Sequence, residues 1–217
     1  MAPTSASQEA LTNLRVLGNY QWYIIPLLAM VFYIYGVEVK NARESGDWGS
    51  VFAGLIILGI DIINETWNAL IFYFTQYSAF WTTPGNSHFI ILIGWNIEIA
   101  FMFSIAGIAY SKFLPEDKNL KILGVPNRWF LSVLFAAFCV FIEVLLNFAG
   151  ALIWVYPWWE ATPLGIILIF FVGYFPFFVA ASIIYDIKDV KKQIKIVGII
   201  YTVGLTSILS LIAIGMI

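Results

Sequence analysis

Six apolar stretches, at about 20–38, 50–75, 88–111, 129–155, 164–186 and 195–217, dominate the sequence. Each approaches or exceeds the roughly 20 helical residues that a bilayer's hydrocarbon core requires. Inside that core every backbone polar group must be satisfied within the protein, which leaves helices or closed barrels as spanning elements. Stretches of this length are long enough to cross as helices, so the expected fold is all-α, a polytopic six-helix transmembrane bundle over residues 20–217. Composition agrees: 61% of residues are hydrophobic and 11% charged, with a mean hydropathy of +0.89. An integral, multi-pass protein of the cell membrane is the expectation. Residues 1–19 form a tail or a short interfacial helix in which Leu11, Leu14 and Leu17 share a face. They lack the basic region, apolar core and cleavage site of a typical signal peptide.

The loops sort by charge. Lys40 and Arg43 follow the first span; Lys112, Lys118, Lys121 and Arg128 follow the third; Lys188, Lys191, Lys192 and Lys195 follow the fifth, leaving only Arg15 elsewhere. The loops after the second and fourth spans, TQYSAFWTTPGNS and PWWEATP, contain no Lys or Arg. The positive-inside rule then places the basic loops in the cytoplasm and both termini outside it. The two non-basic loops are aromatic, with Tyr77, Phe80, Trp81, Tyr156, Trp158 and Trp159. They read either as an interfacial belt or as a lid over a cavity open to that side. No basic stripe supports nucleic-acid binding, and the lone Cys139, inside an apolar run, reads as a small core residue.

Four carboxylates fall within the predicted spans: Asp61 and Glu65, Glu98, and Glu143. An ionisable group at the centre of a membrane helix costs about 2.5–3.5 kcal/mol on the most lenient scale, so it persists where it has a function or a partner. In DIINETWNAL, Asp61, Asn64, Glu65 and Asn68 stand at i, i+3, i+4 and i+7, one face of a helix. The third span adds Trp95, Asn96 and Glu98. On an ideal helix Asn96 and Glu98 lie about 200° apart, so they cannot share one narrow cavity. The fourth adds Glu143 and Asn147, with Gly150 and Trp154 continuing that face, and Tyr174 of the fifth stands within reach of the same region. Short loops join spans two to four, and their polar faces are expected to converge on one interior site. No Lys or Arg lies within a span to neutralise the acids. Burial and mutual repulsion therefore favour keeping one or more of them protonated. The opposing explanation is that amides and neutral carboxyls serve as interhelical packing contacts.

Several membrane chemistries lack their residues. A single His88 excludes bis-histidine haem and multi-histidine iron sites, paired Glu-x-x-His motifs are missing, no span carries a lysine for a retinal Schiff base, and hydrolase triads lack a base. The oxygen ligands are of a kind that could take a divalent cation, but neither a metal nor an organic cofactor is required by the chemistry expected here. A protonated acid in an apolar pocket suits general acid catalysis and equally suits proton-coupled transport. In the first case Glu65, Glu143, Glu98 and Asp61 are the candidate catalytic acids. Asn64, Trp67, Asn68, Trp95, Asn96, Asn147, Trp154 and Tyr174 are the candidate substrate contacts, for an apolar or amphipathic small molecule.

Asn64, Glu65 and Trp67 on the second span resemble the small membrane-integral terpene cyclases of meroterpenoid pathways, and the resemblance covers those residues only. It implies a compact helical bundle that uses a membrane-embedded acid, without a cofactor, to cyclise or isomerise an isoprenoid-like substrate. Two readings of other classes stand beside it. One is a proton- or cation-coupled transporter or channel using the same acids. The other is a nonenzymatic membrane subunit whose acids pair with a partner chain.

Overall fold

The computed structural model describes residues 2–85 and 87–217. Its main elements are α1 (Ser5–Thr12), α2 (Ile24–Ser45), α3 (Gly49–Thr75), β1 (Ile90–Leu92), β2 (Trp95–Asn96), α4 (Ile97–Ser111), β3 (Lys121–Ile122), β4 (Val125–Pro126), α5 (Asn127–Phe148), α6 (Pro163–Leu168), α7 (Phe175–Asp186) and α8 (Val190–Ala213). A π-helical turn, Ile169–Tyr174, joins α6 to α7 in one continuous span. Five helices are long and apolar enough to cross a membrane: α2, α3, α5, α6 with α7, and α8.

Helix α3 is the axis of the bundle. Half of its apolar window is buried, against 17–28% for the other four spans. It packs on α4, α7 and α8. Small residues set the closest approach: a Cβ added to Gly107 of α4 would lie 2.0 Å from the Ala53 carbonyl oxygen of α3. That is the backbone-to-backbone contact by which membrane helices gain packing without a hydrophobic driving force. At the basic end, Arg128 donates from Nη2 and Nε to the two oxygens of Asp186 (2.7 and 3.2 Å) and from Nη1 to the Pro115 carbonyl (2.7 Å). Lys188 reaches Asp47 at 2.8 Å, and Lys112 pairs with Glu38. These contacts tie the basic segments into one face.

Three predicted boundaries are corrected. The third predicted span, 88–111, is helical only from Ile97. Its first part is an antiparallel hairpin pairing Ile90 with Asn96 and Leu92 with Trp95. The remaining helix α4 has 15 residues, about 22 Å at 1.5 Å per residue, short of the hydrocarbon thickness. The fourth predicted span, 129–155, stops as a helix at Phe148, because Gly150 takes φ = 74° and the chain returns as an extended segment. At the N-terminus, α1 ends at Thr12. Leu14 instead bridges to Ile90, and Leu17 is exposed, so the expected three-leucine face does not form.

Pro176, in the first turn of α7, follows the π turn directly. A proline ring strikes the carbonyl four residues earlier, here Val172, and the widened turn makes room for it.

Candidate functional site

At the end of the bundle opposite the basic loops, three extended segments form a cap. Thr82 and Ile153 exchange both backbone hydrogen bonds (3.0 and 2.8 Å), and the Thr83 amide donates to the Ile93 carbonyl at 3.0 Å. Asn68, fully buried on α3, anchors this cap from below. Its Oδ1 accepts from the Phe80 and Trp81 amides at 2.9 and 3.3 Å, and its Nδ2 donates to the Trp81 carbonyl at 2.8 Å. Aromatic rings fill the cap: Phe80 packs edge-on against Tyr156 and Trp158, and Trp81 stacks on Trp159 with centroids 5.9 Å apart. The aromatic loops thus close that end of the bundle over the acids beneath.

Under the cap, three acids gather. Asp61 and Glu65 stand one turn apart on α3, and Glu143 comes from the last two turns of α5; they are 2%, 3% and 6% exposed. Glu65 interacts electrostatically with both Asp61 and Glu143. Each acid faces an indole of the cap. Trp81 Nε1 donates to Glu65 Oε1 at 2.8 Å. Trp95 lies beside Asp61, and Trp154 beside Glu143, without reaching good hydrogen-bond geometry. Tyr174, at the end of the π turn, approaches Glu143, and Tyr201 of α8 approaches Asp61. Asp61 Oδ2, Glu65 Oε2 and Glu143 Oε2 are buried with no hydrogen-bond partner, as are the Trp95 and Trp154 indole nitrogens and the Tyr201 hydroxyl. Buried polar atoms are overwhelmingly paired in folded proteins. Six such atoms belong to the three acids and the side chains beside them. Among the described residues, no three His, Cys, Asp or Glu side chains converge closely enough to hold a metal ion.

A groove of about 300 Å³ opens on the side of the bundle beside this centre. Asn64, Trp67, Trp81 and Trp159 wall it together with Val172 and Gly173 of the π turn. Trp81 therefore both lines the groove and holds Glu65 through its ring nitrogen.

The twelve residues expected at the site fall into three groups. Asp61, Glu65, Glu143, Trp95, Trp154 and Tyr174 meet at the acid centre, and Asn64 and Trp67 line the groove next to it. The others have local partners. Glu98, expected near mid-span, sits in the first turn of α4 because the hairpin replaces the first part of that span. There it accepts from the Tyr23 hydroxyl (2.7 Å), the Ser87 hydroxyl (2.6 Å) and the His88 amide (2.8 Å), fixing the loop before the hairpin. Asn96 caps α4 by accepting from the Ile99 amide. Asn68 holds the cap, and Asn147 donates to the Leu152 carbonyl across the turn that ends α5. Trp154 reaches Glu143 from the extended return segment, not from the helix face first expected.

Sequence reasoning missed Trp81 and Tyr201. Trp81 reads as one of many interfacial aromatics and Tyr201 as a packing residue; only the tertiary structure sets them against acids.

Comparison with known proteins places this architecture. A family described as an uncharacterized membrane protein family matches residues 4–214. The chain belongs to this family. It is also similar to an uncharacterized protein of Archaeoglobus fulgidus, with 50% identity over 194 residues covering 88% of each chain. No solved structure matches it. With its five membrane-length helices, the chain is an integral, multi-pass membrane protein.

Proposed function

We propose that the chain is a membrane-embedded enzyme in which Glu65, assisted by Glu143 and Asp61, performs general acid/base chemistry on an apolar, isoprenoid- or lipid-like substrate. The observation that carries this reading is the set of three buried carboxyls, each with an unpartnered oxygen, beside a groove walled by indole rings. A protonated carboxyl gives its proton to an alkene carbon or an epoxide oxygen, producing a carbocation. The faces of Trp81, Trp159 and Trp67 stabilise such a cation by roughly 0.5–2 kcal/mol each. The cation closes a ring or shifts its double bond, and loss of a proton from a neighbouring carbon to the carboxylate returns the acid to its starting form. Isomerisation or cyclisation of this type is balanced in atoms and needs no oxidant.

The electrostatic coupling of Glu65 with both Asp61 and Glu143 favours a second reading, proton- or cation-coupled transport. Burial of all three acids inside this chain's own bundle counts against a subunit that offers them to a partner.

The test is to incubate the purified protein in lipid nanodiscs with polyprenyl alkenes and their epoxides, and to follow products by mass spectrometry. Wild type is expected to form an isomer or cyclic product, and Glu65→Gln to form none while remaining folded. No product from wild type, together with proton flux into liposomes that Glu65→Gln abolishes, would replace the enzyme with a transporter.

A further inference from the structure

Arg15 carries a basic side chain at the end of the bundle where the loops have none. Its backbone adopts φ = 57°, a left-handed conformation that costs a non-glycine residue about 1–2 kcal/mol. The cap enforces it: the Arg15 amide donates to the Ile90 carbonyl at 2.9 Å, and Leu14 bridges to Ile90. Nε then donates to the Ile91 carbonyl at 3.2 Å, while Nη2 is buried with no partner. All four ion pairs among the described residues lie elsewhere, so no carboxylate neutralises this guanidinium. Burial pushes its pKa below the ordinary arginine value, against the charge it carries. An orphaned buried donor costs about 1–3 kcal/mol, and more when charged.

Arg15 borders a half-open groove of about 290 Å³ between the N-terminal segment, the ends of α3 and α8, and the hairpin. Leu11, Leu14, Phe72, Leu92, Ile93 and Met216 supply its apolar walls. One unpaired cation at the head of an apolar trough, where helices end, matches one kind of occupant: an anion attached to a hydrocarbon chain. A lipid without a phosphate would leave Nη2 unpaired, and a small soluble anion would leave the trough unfilled.

We propose that this groove binds one membrane lipid with an anionic phosphate headgroup, the phosphate accepting from Arg15 Nη2 and a hydrocarbon chain lying against Phe72, Leu92 and Ile93. Guanidinium and phosphate oxygens suit each other because the rigid fork of donors meets two acceptors at once. The site is separate from the acid centre and does not depend on the function proposed for it.

The test is native mass spectrometry of the full chain extracted from vesicles with equal parts phosphatidylglycerol and a glycosyl diacylglycerol, which has the same kind of chains and no phosphate. Wild type is expected to retain one phosphatidylglycerol with about a tenfold preference, the effect of roughly 1.4 kcal/mol. Arg15→Gln should bring the two lipids to parity, and Glu65→Gln should leave the preference intact. Leu11→Trp, which fills the trough from an exposed position and leaves Arg15 in place, should lower retention of both lipids; it keeps the test open if Arg15→Gln fails to fold. Equal retention of the two lipids by wild type would overturn the proposal, as would an undiminished preference in Arg15→Gln. Displacement of the lipid by inorganic phosphate alone, with the trough empty, would overturn the lipid assignment in favour of a free anion.

Discussion

Trp81 of the cap and Glu65 of α3 are joined by a single hydrogen bond, indole Nε1 to carboxyl Oε1 at 2.8 Å, while the other carboxyl oxygen has no partner. Trp81→Phe removes that donor and leaves both oxygens of a buried carboxyl unsatisfied. The expected cost is about 1–3 kcal/mol, read as a lower melting temperature in the same detergent. Glu65→Gln keeps an acceptor oxygen for Trp81 and should melt close to wild type. A double-mutant cycle pairing Trp81→Phe with Glu65→Ala, which removes the acceptor, should return a coupling of roughly 0.5–3 kcal/mol; a coupling of zero would mean the bond contributes nothing.

Asn68 makes three hydrogen bonds to the backbone of Phe80 and Trp81 from a fully buried position. Asn68→Ala leaves two amides and a carbonyl with no replacement. Each buried unsatisfied group costs about 1–3 kcal/mol, so the loss should be several times that of an average substitution. It should also be local: hydrogen exchange at the Phe80 and Trp81 amides is expected to rise more than in the middle of α3. Uniform acceleration along the chain would contradict a role specific to the cap.

The stripe Asp61, Asn64, Glu65, Asn68 was legible in the sequence because helical periodicity is a direct geometric rule, and α3 is helical throughout. Glu143 was legible for the same reason. Glu98 was not, because a short apolar run such as Ile90–Ile93 fits a buried helix and a strand equally well by pattern. Here the pairing of Leu92 with Trp95 across Ile93 and Gly94 decides for the hairpin. A Cβ on Gly94 would come within 2.2 Å of Asn68 Nδ2, so the glycine permits the close approach that seats the hairpin on α3. The part of the site made by Trp81 and Tyr201 depends on contacts between distant segments, which no local pattern encodes.

The charge asymmetry predicts that Lys118 faces the cytoplasm and Ala161 the other side. Single cysteines at these positions, in a Cys139→Ala background, provide a direct check with a membrane-impermeant thiol reagent on intact cells. Ala161→Cys is expected to label before lysis and Lys118→Cys only afterwards. The reverse order would invert the orientation assigned to the acid centre and its cap.

Gly107 and Gly198 test whether the contact of α3 with α4 is as tight as its geometry requires. A methyl at Gly107 would meet the Ala53 carbonyl oxygen at 2.0 Å, the Ala53 carbonyl carbon at 2.5 Å and the Gly54 Cα at 2.8 Å, all main-chain atoms that cannot rotate away. Gly107→Ala must push the two helices apart, and overpacking of this kind costs about 1–3 kcal/mol or more. Since α3 carries Asp61 and Glu65 while α4 follows directly from the hairpin holding Trp95, the displacement should also disturb the acid centre. Gly198, on α8, has no heavy atom within 4 Å of its added Cβ. Alanine there adds a better helix former without a clash, so Gly198→Ala should melt at or slightly above the wild-type temperature. Equal melting temperatures for the two variants would mean that α3 and α4 do not meet backbone to backbone.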